Sequence, residues 1–389
     1  MAKKDLSFIL NHLGEDRENY FNAIAPPVIQ TSNFCFKTVA DMRSALGQEF
    51  EVPFYTRGNN PTVTILRKKI AALEGAEDAL IFASGCAAIS AAVMSIVKSG
   101  DHAICVKNAY GWTNSLLTQY LNPYGVTSTI VDGENTASFE KAIRPTTKLI
   151  YLESPNSFTL EVQDIEAIAR LARKHGITTI IDNSYSTPIN QSPLELGIDM
   201  VVHSASKYLG GHSDIIAGVI CSSRERVNKL FSEEFMTLGG IISPQDAWLM
   251  LRGLRTLDLR VKRSSESAAK IVEFLEKHPK IEEVIYPFSS TYKHRDIARK
   301  QMKDGGGLLS VKIRAKEAPQ LESFCNSLSR FLMACSWGGY ESLIFPVVAL
   351  PSTNKTDKNS LPWNLVRLYI GLEDADVLIE DLRVALEKV

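Results

Sequence analysis

Several signatures of common protein classes are missing from this 389-residue chain. Its six cysteines form no C-x-x-C pair, which argues against a zinc knuckle and a thioredoxin-like motif, and its histidines lack ligand spacing, so we predict no metal site. Its 43 basic and 44 acidic residues are nearly balanced and form no basic cluster, so no nucleic-acid partner is expected.

No secretory or membrane segment is expected either. The N-terminus lacks an apolar core followed by a small-residue cleavage site, so we predict a cytoplasmic protein. The apolar run from Ala79 to Val97 is interrupted by Ser84, Gly85 and further serines. It therefore suits a strand, a turn and a buried helix better than a membrane span. A small molecule is the expected partner.

The middle of the chain is typical of an α/β domain. Between residues 79 and 223, β-branched runs alternate with amphipathic stretches such as Asp164–His175, which predicts a mostly parallel sheet with helices on both faces. The predicted strands are Ala79–Ala83, His102–Val106, Ser128–Asp132, Lys148–Glu153, Thr178–Asp182, Met200–His203 and Gly218–Ser222.

The remaining sequence predicts an arm and a second domain. Residues 1–58 are rich in turn residues and are predicted to be an N-terminal arm, and residues 59–252 form the α/β domain. Residues 253–389 are predicted to form a smaller α+β domain that begins with a long helix. Its strands are predicted at Lys280–Tyr286, Gly306–Ile313 and Leu365–Ile370, with a closing helix at Asp374–Val389.

Polar residues close several of the predicted strands. They are Ser84 and Gly85, Glu153, Asp182 and Asn183, and the segment from Ser204 to Lys207. In open α/β sheets, ligands bind outside the carboxyl ends of the strands. The sequence therefore predicts a binding site at this edge.

Lys207 is the most informative residue of that edge. It follows an apolar strand and is surrounded by hydroxyls and glycines in the segment His203–Asp214. A lysine amine can bind the aldehyde of pyridoxal 5'-phosphate covalently, while serine hydroxyls and exposed N–H groups bind the phosphate. One alternative is a solvated loop lysine. Another is the S-x-x-K pattern of serine acyl-enzymes with Ser204 as nucleophile, although the accompanying S-D-N and K-T-G motifs are absent.

Three other positions suit the same cofactor. Asp182 could pair with its pyridine nitrogen, and an ion pair at ~4 Å in a dielectric of ~20 contributes roughly 4 kcal/mol, or about three pK units. The turn Ser84–Cys86 precedes an alanine-rich helix whose N-terminus could bind phosphate. Tyr110 could stack on the ring. Each position also has an ordinary structural interpretation: Asp182 could cap the next turn, Ser84–Cys86 could be a simple strand-to-helix turn, and Tyr110 could pack in the core.

Ordered segments along nearly the whole chain resemble the Cys/Met-metabolism (transsulfuration) family of pyridoxal-phosphate enzymes. They are His203–Asp214, Tyr55–Thr62, Ile242–Arg260, Ser336–Leu343 and Val366–Asp374. The resemblance implies the PLP-dependent transferase fold (aspartate aminotransferase-like, fold type I). It also implies a homotetramer built from dimers that share their active sites.

Site residues follow from the resemblance position by position. It implies that Tyr55 and Arg57 reach the phosphate site of a neighbouring subunit, and that Arg367 binds the substrate carboxylate as a fork. Ser336 is implied to position Lys207 and the substrate. The implied cofactor site comprises Lys207, Ser84, Gly85, Cys86, Tyr110, Asp182, Ser204, Ser206, Tyr55 and Arg57, and the implied substrate site Arg367, Ser336, Trp337, Ser157 and Tyr110.

Two positions depart from the family pattern. Ser157 stands where the family commonly has an asparagine that holds the substrate carboxylate or the ring hydroxyl, and the sequence leaves open whether Asn156 replaces it. Trp112 stands where glycine is common, and its bulk should narrow the pocket.

The resemblance implies a carbon–sulfur lyase of methionine metabolism with Lys207, Tyr110, Asp182 and Tyr55 as catalytic residues. We predict β-elimination of L-cystathionine to homocysteine, pyruvate and ammonia, because the segment from Ser336 and the missing asparagine at Ser157 resemble bacterial cystathionine β-lyases. The arm motif and the pair Gly210 and Gly211 look more like γ-synthases and γ-lyases. The alternative is therefore a γ-acting member of the family: cystathionine γ-synthase or γ-lyase, methionine γ-lyase or O-acetylhomoserine sulfhydrylase. A non-catalytic amino-acid-binding protein is the remaining alternative.

Overall fold

The computed structural model describes residues 5–350 and 361–389, which form two β-sheets. The strands are β1 Asp78–Phe82, β2 His102–Val106, β3 Thr127–Val131, β4 Thr147–Glu153, β5 Thr178–Asp182, β6 Met200–Ser204, β7 Gly218–Ser222, β8 Ile281–Ile285, β9 Leu308–Ile313, β10 Leu332–Met333, β11 Leu343–Pro346 and β12 Leu365–Tyr369.

The larger sheet has seven strands in the order β1-β7-β6-β5-β4-β2-β3. All seven predicted strands are confirmed, each within one residue at either end. The sheet is parallel except at β7, which is antiparallel to both β1 and β6. The connection from β6 to β7 contains no crossover helix, so the chain returns in the opposite direction. This connection carries Lys207.

Helices follow most strands and supply the apolar faces that cover the sheets. They are α1 Leu6–Asn11, α2 Val39–Leu46, α3 Pro61–Glu74, α4 Gly85–Met94, α5 Gly111–Ser115, α6 Thr136–Ala142, α7 Ile165–Lys174, α8 Thr187–Asn190, α9 Arg224–Leu230, α10 Met236–Leu238, α11 Pro244–Leu254, α12 Leu257–Glu276, α13 Arg295–Gln301, α14 Ala318–Ser327 and α15 Ala375–Leu386. In α7, Ile165, Ile168, Ala169 and Ala172 are buried, as the helical period predicts.

The smaller sheet has five strands in the order β10-β11-β12-β9-β8. Three of them were predicted, whereas β10 and β11 were missed. A second apolar core forms around this sheet, separate from the core of the larger one. The long helix α12 joins the two regions. The predicted domain boundary at residue 252 lies inside α11, and the division at that point stays a prediction.

The arm is less irregular than its composition indicates. It contains α1 and α2, and α1 is tied to α3 because Lys69 Nζ donates to the carbonyls of Ile9 and Leu10 at 3.0 and 3.1 Å. Two of its apolar side chains are largely uncovered: Phe21 is 99% exposed and Ile24 76%. In the described parts of the chain, no helix combines the length and apolar character needed to cross a membrane.

Candidate active site

Lys207 lies after β6, at the carboxyl end of the parallel strands. Its Nζ donates a hydrogen bond to Ser336 Oγ at 2.6 Å and lies 5.6 Å from the centre of the Trp337 ring. Burial, and next the Arg367 guanidinium, lower the pKa of the Lys207 amine. A lysine whose neutral form is favoured in this way can act as a nucleophile and a base. Because Nζ donates to Ser336 and not to Ser204, the geometry does not support the acyl-enzyme alternative.

A tight loop of the smaller domain holds Ser336 against the lysine. The φ angle of Ser336 is 76°, a left-handed conformation that is strained for serine. Gly338 has a φ angle of 90°, and a Cβ atom there would lie 2.6 Å from Tyr208 N and 3.0 Å from Lys207 Cα. Only glycine, which has no Cβ atom, lets the two backbone segments come this close. The loop backbone therefore packs directly on the lysine segment, and loops from both sheets fix the position of the amine.

Two buried carboxyl groups end neighbouring strands near this lysine. Glu153 ends β4, Asp182 ends β5, and the two are paired in register. Asp182 accepts a hydrogen bond from Ser184 N–H at 2.9 Å, and Glu153 accepts one from Tyr110 N–H at 2.6 Å. Burial raises the pKa of both carboxyl groups. Among residues 5–350 and 361–389, neither has a cation at ion-pair distance, so a cationic group of a ligand would be stabilised beside them.

The first turn of α4 is suited to bind an anion. Ser84 caps this helix, since its Oγ accepts a hydrogen bond from Ala87 N–H at 3.1 Å. The N–H groups of Gly85 and Cys86 come before the first intrahelical bond and have no acceptor in the helix. They also lie at the positive end of the helix dipole.

The two predicted phosphate-binding serines differ in their surroundings. A Cβ atom on Gly85 would lie 3.0 Å from Ser204 Cα, so Ser204 borders the first turn of α4. Ser206 Oγ accepts a hydrogen bond from Ala217 N–H at 3.0 Å and so also stabilises its own loop. The role of each serine in phosphate binding stays a prediction.

Tyr110 stands at the start of α5 with its ring 42% exposed. Its hydroxyl lies 3.9 Å from Cys86 Sγ, at the same turn of α4. Partial burial, and next Cys86, raise the pKa of the Tyr110 hydroxyl to about 12, so it stays protonated at neutral pH. A cavity of about 390 Å³ lies beside the ring, and Trp112 forms part of its wall together with Ile89, Leu116 and Tyr120.

Arg367 lies in the middle of β12 and is only 6% exposed. Its guanidinium lies 4.4 Å from the ring centre of Phe158 and 5.3 Å from that of Phe345, and it donates to the carbonyls of Ser157 and Ser336 at 3.3 and 3.2 Å. Burial lowers its pKa to about 10. No carboxylate of the described residues pairs with it. A buried cation held in this way is suited to bind a carboxylate ligand.

The segment that departs from the family pattern contacts Arg367 through its backbone. Ser157 touches the guanidinium with its carbonyl oxygen. The Asn156 side chain is fully engaged: its Oδ1 accepts hydrogen bonds from the N–H groups of Phe158, Thr159 and Leu160, and its Nδ2 donates to Glu161. Asn156 therefore builds the turn and does not replace the missing asparagine.

Trp337 is buried beneath the lysine. It is 6% exposed, and its ring packs edge-on against Tyr208 at 5.6 Å and tilted against Tyr185 at 6.4 Å. The side chain thus forms a wall under Lys207. Its predicted contact with substrate stays a prediction.

Tyr55 and Arg57 are the two predicted residues that the chain does not bring to this site. The Tyr55 ring is 43% exposed, and the Arg57 guanidinium lies 5.5 Å from its centre. In the described part of the chain, no hydrogen bond, ion pair or ring contact joins either residue to Lys207 or to the first turn of α4.

Sequence reasoning gave no role to three residues that shape the site. Glu153 was noted only as a strand end, although its position beside the end of β5 signals a carboxyl pair. Phe158 and Phe345 flank the Arg367 guanidinium from two different segments. No sequence signal links these two phenylalanines, because their contact depends on the packing of the domains.

These groups fit pyridoxal 5'-phosphate. The lysine amine suits its aldehyde, and the N-terminus of α4 suits its phosphate. The buried carboxyl group of Asp182, which has no cation at ion-pair distance among the described residues, suits a protonated ring nitrogen. Tyr110 lies close enough to α4 to face the ring.

Comparisons with known proteins agree with this assignment. The family described as Cys/Met metabolism PLP-dependent enzyme matches residues 8–387. An L-methionine gamma-lyase of Fusobacterium nucleatum subsp. polymorphum is 38% identical over 96% of this chain and 95% of its own length. Cystathionine beta-lyase MetC of Bacillus subtilis (strain 168) is 36% identical over 88% of each chain. The crystal structure of metB from Corynebacterium glutamicum has a TM-score of 0.92 and 34% identity, with 99% and 98% of the two chains covered.

We expect pyridoxal phosphate to attach to Lys207 and to no other lysine, because burial favours the neutral amine at this position and the neighbouring Ser204 borders the first turn of α4. Burial lowers the pKa of Lys69 as well, but its Nζ is held by Glu15 and by the carbonyls of Ile9 and Leu10. The protein is incubated with the cofactor, reduced with borohydride, digested and analysed by mass spectrometry. Lys207→Ala should abolish the adduct, whereas Lys98→Ala, a change at an exposed lysine, should leave it intact. An adduct on a different lysine, or one that persists in Lys207→Ala, would contradict the assignment.

Proposed function

Since this chain belongs to the Cys/Met metabolism family of PLP-dependent enzymes and is a carbon–sulfur lyase, we propose that it cleaves L-cystathionine by β-elimination. The products would be homocysteine, pyruvate and ammonia, which would place the enzyme in methionine biosynthesis. Three side chains support the proposal by their chemistry: a buried lysine of lowered pKa, a buried arginine without a carboxylate partner, and a protonated tyrosine.

Each of these side chains has a step to perform. Pyridoxal phosphate, when bound, withdraws the electron pair that the substrate releases at Cα. Arg367 binds the α-carboxylate and so orients the substrate. Lys207 Nζ, hydrogen-bonded to Ser336, removes the proton from Cα. Tyr110 donates its phenolic proton to the sulfur that leaves Cβ. Asp182 keeps the ring nitrogen protonated.

The protonation state of Tyr110 carries the choice of β-elimination. A β-elimination needs one base at Cα and one acid at the leaving sulfur, whereas γ-elimination also requires a proton to be removed from Cβ. The pKa of Tyr110, raised to about 12, keeps its hydroxyl protonated at neutral pH, so this side chain has a proton to donate to the sulfur and cannot accept one from Cβ. Lys207 and Tyr110 therefore supply the pair of groups that the simpler reaction needs.

A γ-elimination is the second candidate, and the printed activity of a relative favours it. The Fusobacterium nucleatum protein is an L-methionine gamma-lyase and is similar to this chain over 96% of its length. In a γ-elimination, Lys207 would have to serve at both Cα and Cβ. The products then include 2-oxobutanoate instead of pyruvate.

We expect pyruvate to be the keto acid released from L-cystathionine. The holoenzyme is incubated separately with cystathionine, methionine, cysteine and O-acetylhomoserine plus a thiol, and the keto acids and thioethers are resolved by chromatography. Release of 2-oxobutanoate from cystathionine or methionine would replace the β-elimination proposal with γ-elimination. Formation of thioether without keto acid would indicate a synthase or sulfhydrylase.

Removal of the Arg367 guanidinium should weaken the use of substrate strongly. Arg367→Ala is expected to lower kcat/KM about 100-fold, because it removes a charged pair of hydrogen bonds. Arg367→Lys should recover part of this loss, since it keeps the charge but not the fork. Steady-state kinetics should show the change mainly in KM. Arg383→Ala, at a surface ion pair, is the control; equal kinetics for Arg367→Ala and this control would refute the role.

We further propose that the active unit is a homodimer that shares its sites, assembled into a homotetramer. The arm supports this, because Phe21 and Ile24 are largely exposed and would be covered by a second copy of the chain. Tyr55 and Arg57 support it as well, since they face solvent in one chain although the phosphate site needs a cation. The cation would then come from the arm of the neighbouring subunit.

Mixing two inactive variants tests whether the sites are shared. Lys207→Ala and Arg57→Ala should each be nearly inactive, and co-refolding them should restore about a quarter of the activity, since half of random dimers are mixed and each has one intact site. Lys207→Ala mixed with Arg367→Ala is the matched control. Both of these residues belong to one chain, so this mixture should stay inactive. No recovery in the first mixture would contradict the shared site.

A further inference from the structure

Glu153 is a buried carboxyl group to which the proposed reaction gives no role. It ends β4 with 6% of its surface exposed, and its register partner on the parallel strand β5 is Asp182, also 6% exposed. Neighbouring strands lie about 4.8 Å apart, and paired residues point to the same face of the sheet. The two carboxyl groups therefore meet at one edge of the site.

Two main-chain groups donate hydrogen bonds to the Glu153 side chain, namely the N–H of Ser157 and the N–H of Tyr110, and the second of these bonds reaches another strand connection. Glu153 Oε2 accepts from the main-chain N–H of Tyr110 at 2.6 Å. Tyr110 is the residue from which α5 starts, and its own side chain does not cap that helix. The backbone of Tyr110, and with it the direction of the phenol, is thus held by a carboxyl group on a different strand.

The surroundings of the two carboxyl groups differ in charge. Asp182 accepts from Ser184 N–H, and His203 and Lys207 both favour its ionised form. The titratable groups around Glu153 are Asp182, Cys105, Tyr110 and Tyr151, none of which carries a positive charge. Burial, and next Asp182, raise the pKa of Glu153 well above its usual range. Ionisation of one of two adjacent buried carboxyl groups raises the pKa of the other, and Glu153, which has no cationic neighbour, is the one of the two expected to hold the proton.

We infer that Glu153 is a positioning residue: a neutral carboxylic acid that holds the main chain of Tyr110 and leaves Asp182 as the only negative charge at this edge of the site. The inference rests on the proposed function in one respect, namely that Tyr110 and Asp182 face the cofactor. The environment thus gives two neighbouring carboxyl groups different tasks.

Two substitutions separate the hydrogen bond from the charge. Glu153→Gln is neutral and keeps an oxygen that can accept from Tyr110 N–H, so we expect kcat/KM to stay within about threefold of wild type. Glu153→Leu has a similar volume but no acceptor and leaves a buried N–H unsatisfied, so we expect a loss of about 10- to 100-fold. Near-UV circular dichroism of the bound cofactor should change in the Leu variant and not in the Gln variant.

Infrared difference spectroscopy tests the protonation state directly and needs no turnover. At neutral pH, the wild type minus Glu153→Gln should contain the C=O stretching band of a protonated carboxylic acid. Glu166→Gln is the matched control, because Lys300 holds the pKa of this exposed carboxyl below its usual range and keeps it ionised. The same band should be missing from its difference spectrum.

Absence of the band for Glu153, or a Gln variant as impaired as the Leu variant, would overturn the inference. If Glu153→Leu does not fold, the infrared result and the kinetics of Glu153→Gln still decide. If the band is present but no sulfur amino acid is cleaved by the wild type, the proposed function fails while the assignment of Glu153 stands.

Discussion

The contact between Lys207 and Ser336 is the interaction on which the rest of the site depends, because it joins a loop that follows the larger sheet to a loop of the smaller sheet at the reactive atom. Lys207 belongs to the larger sheet and Ser336 to a loop of the smaller domain. That loop reaches the lysine only with a left-handed φ at Ser336 and a glycine at position 338, where any Cβ atom would collide with the lysine backbone. A strained backbone conformation of this kind persists only where the packing around it holds the residue in place. Here the two apolar cores hold the two loops against each other.

Around this contact, the site is built from buried charges that are incompletely paired. Arg367 donates to two carbonyls and packs between two phenyl rings, but has no carboxylate among the described residues. Asp182 has a main-chain donor, but no cation at ion-pair distance in the same part of the chain. Isolated buried charges are costly to the fold. In the proposed reaction, Arg367 would pair with an amino-acid carboxylate and Asp182 with a protonated ring nitrogen. The stability that the fold loses by burying these groups would then serve to preorganise the site.

The sequence predicted the large sheet well, because each strand is a short β-branched run closed by a polar or turn residue at its carboxyl end. It did not predict the direction of β7, which depends on the lack of a crossover helix after Lys207. It missed β10 because two residues, Leu332 and Met333, give no periodic pattern. Site residues that end a predicted strand, such as Asp182, could be predicted from their position in the sequence. The contacts of Arg367 with Phe158 and Phe345 were not, since they arise only when the two domains pack.

Ser157 stands where the family commonly has an asparagine, yet the contact between this position and Arg367 does not depend on the side chain. The family asparagine would contribute a side chain, but the guanidinium of Arg367 is held by the Ser157 carbonyl, which any residue provides. The turn that presents this carbonyl is fixed by Asn156, whose Oδ1 accepts three main-chain N–H groups. Anchoring of the arginine is therefore independent of the side chain at 157. What the serine changes is the space and hydrogen bonding beside the bound carboxylate, so its effect should fall on substrate selection rather than on the integrity of the site.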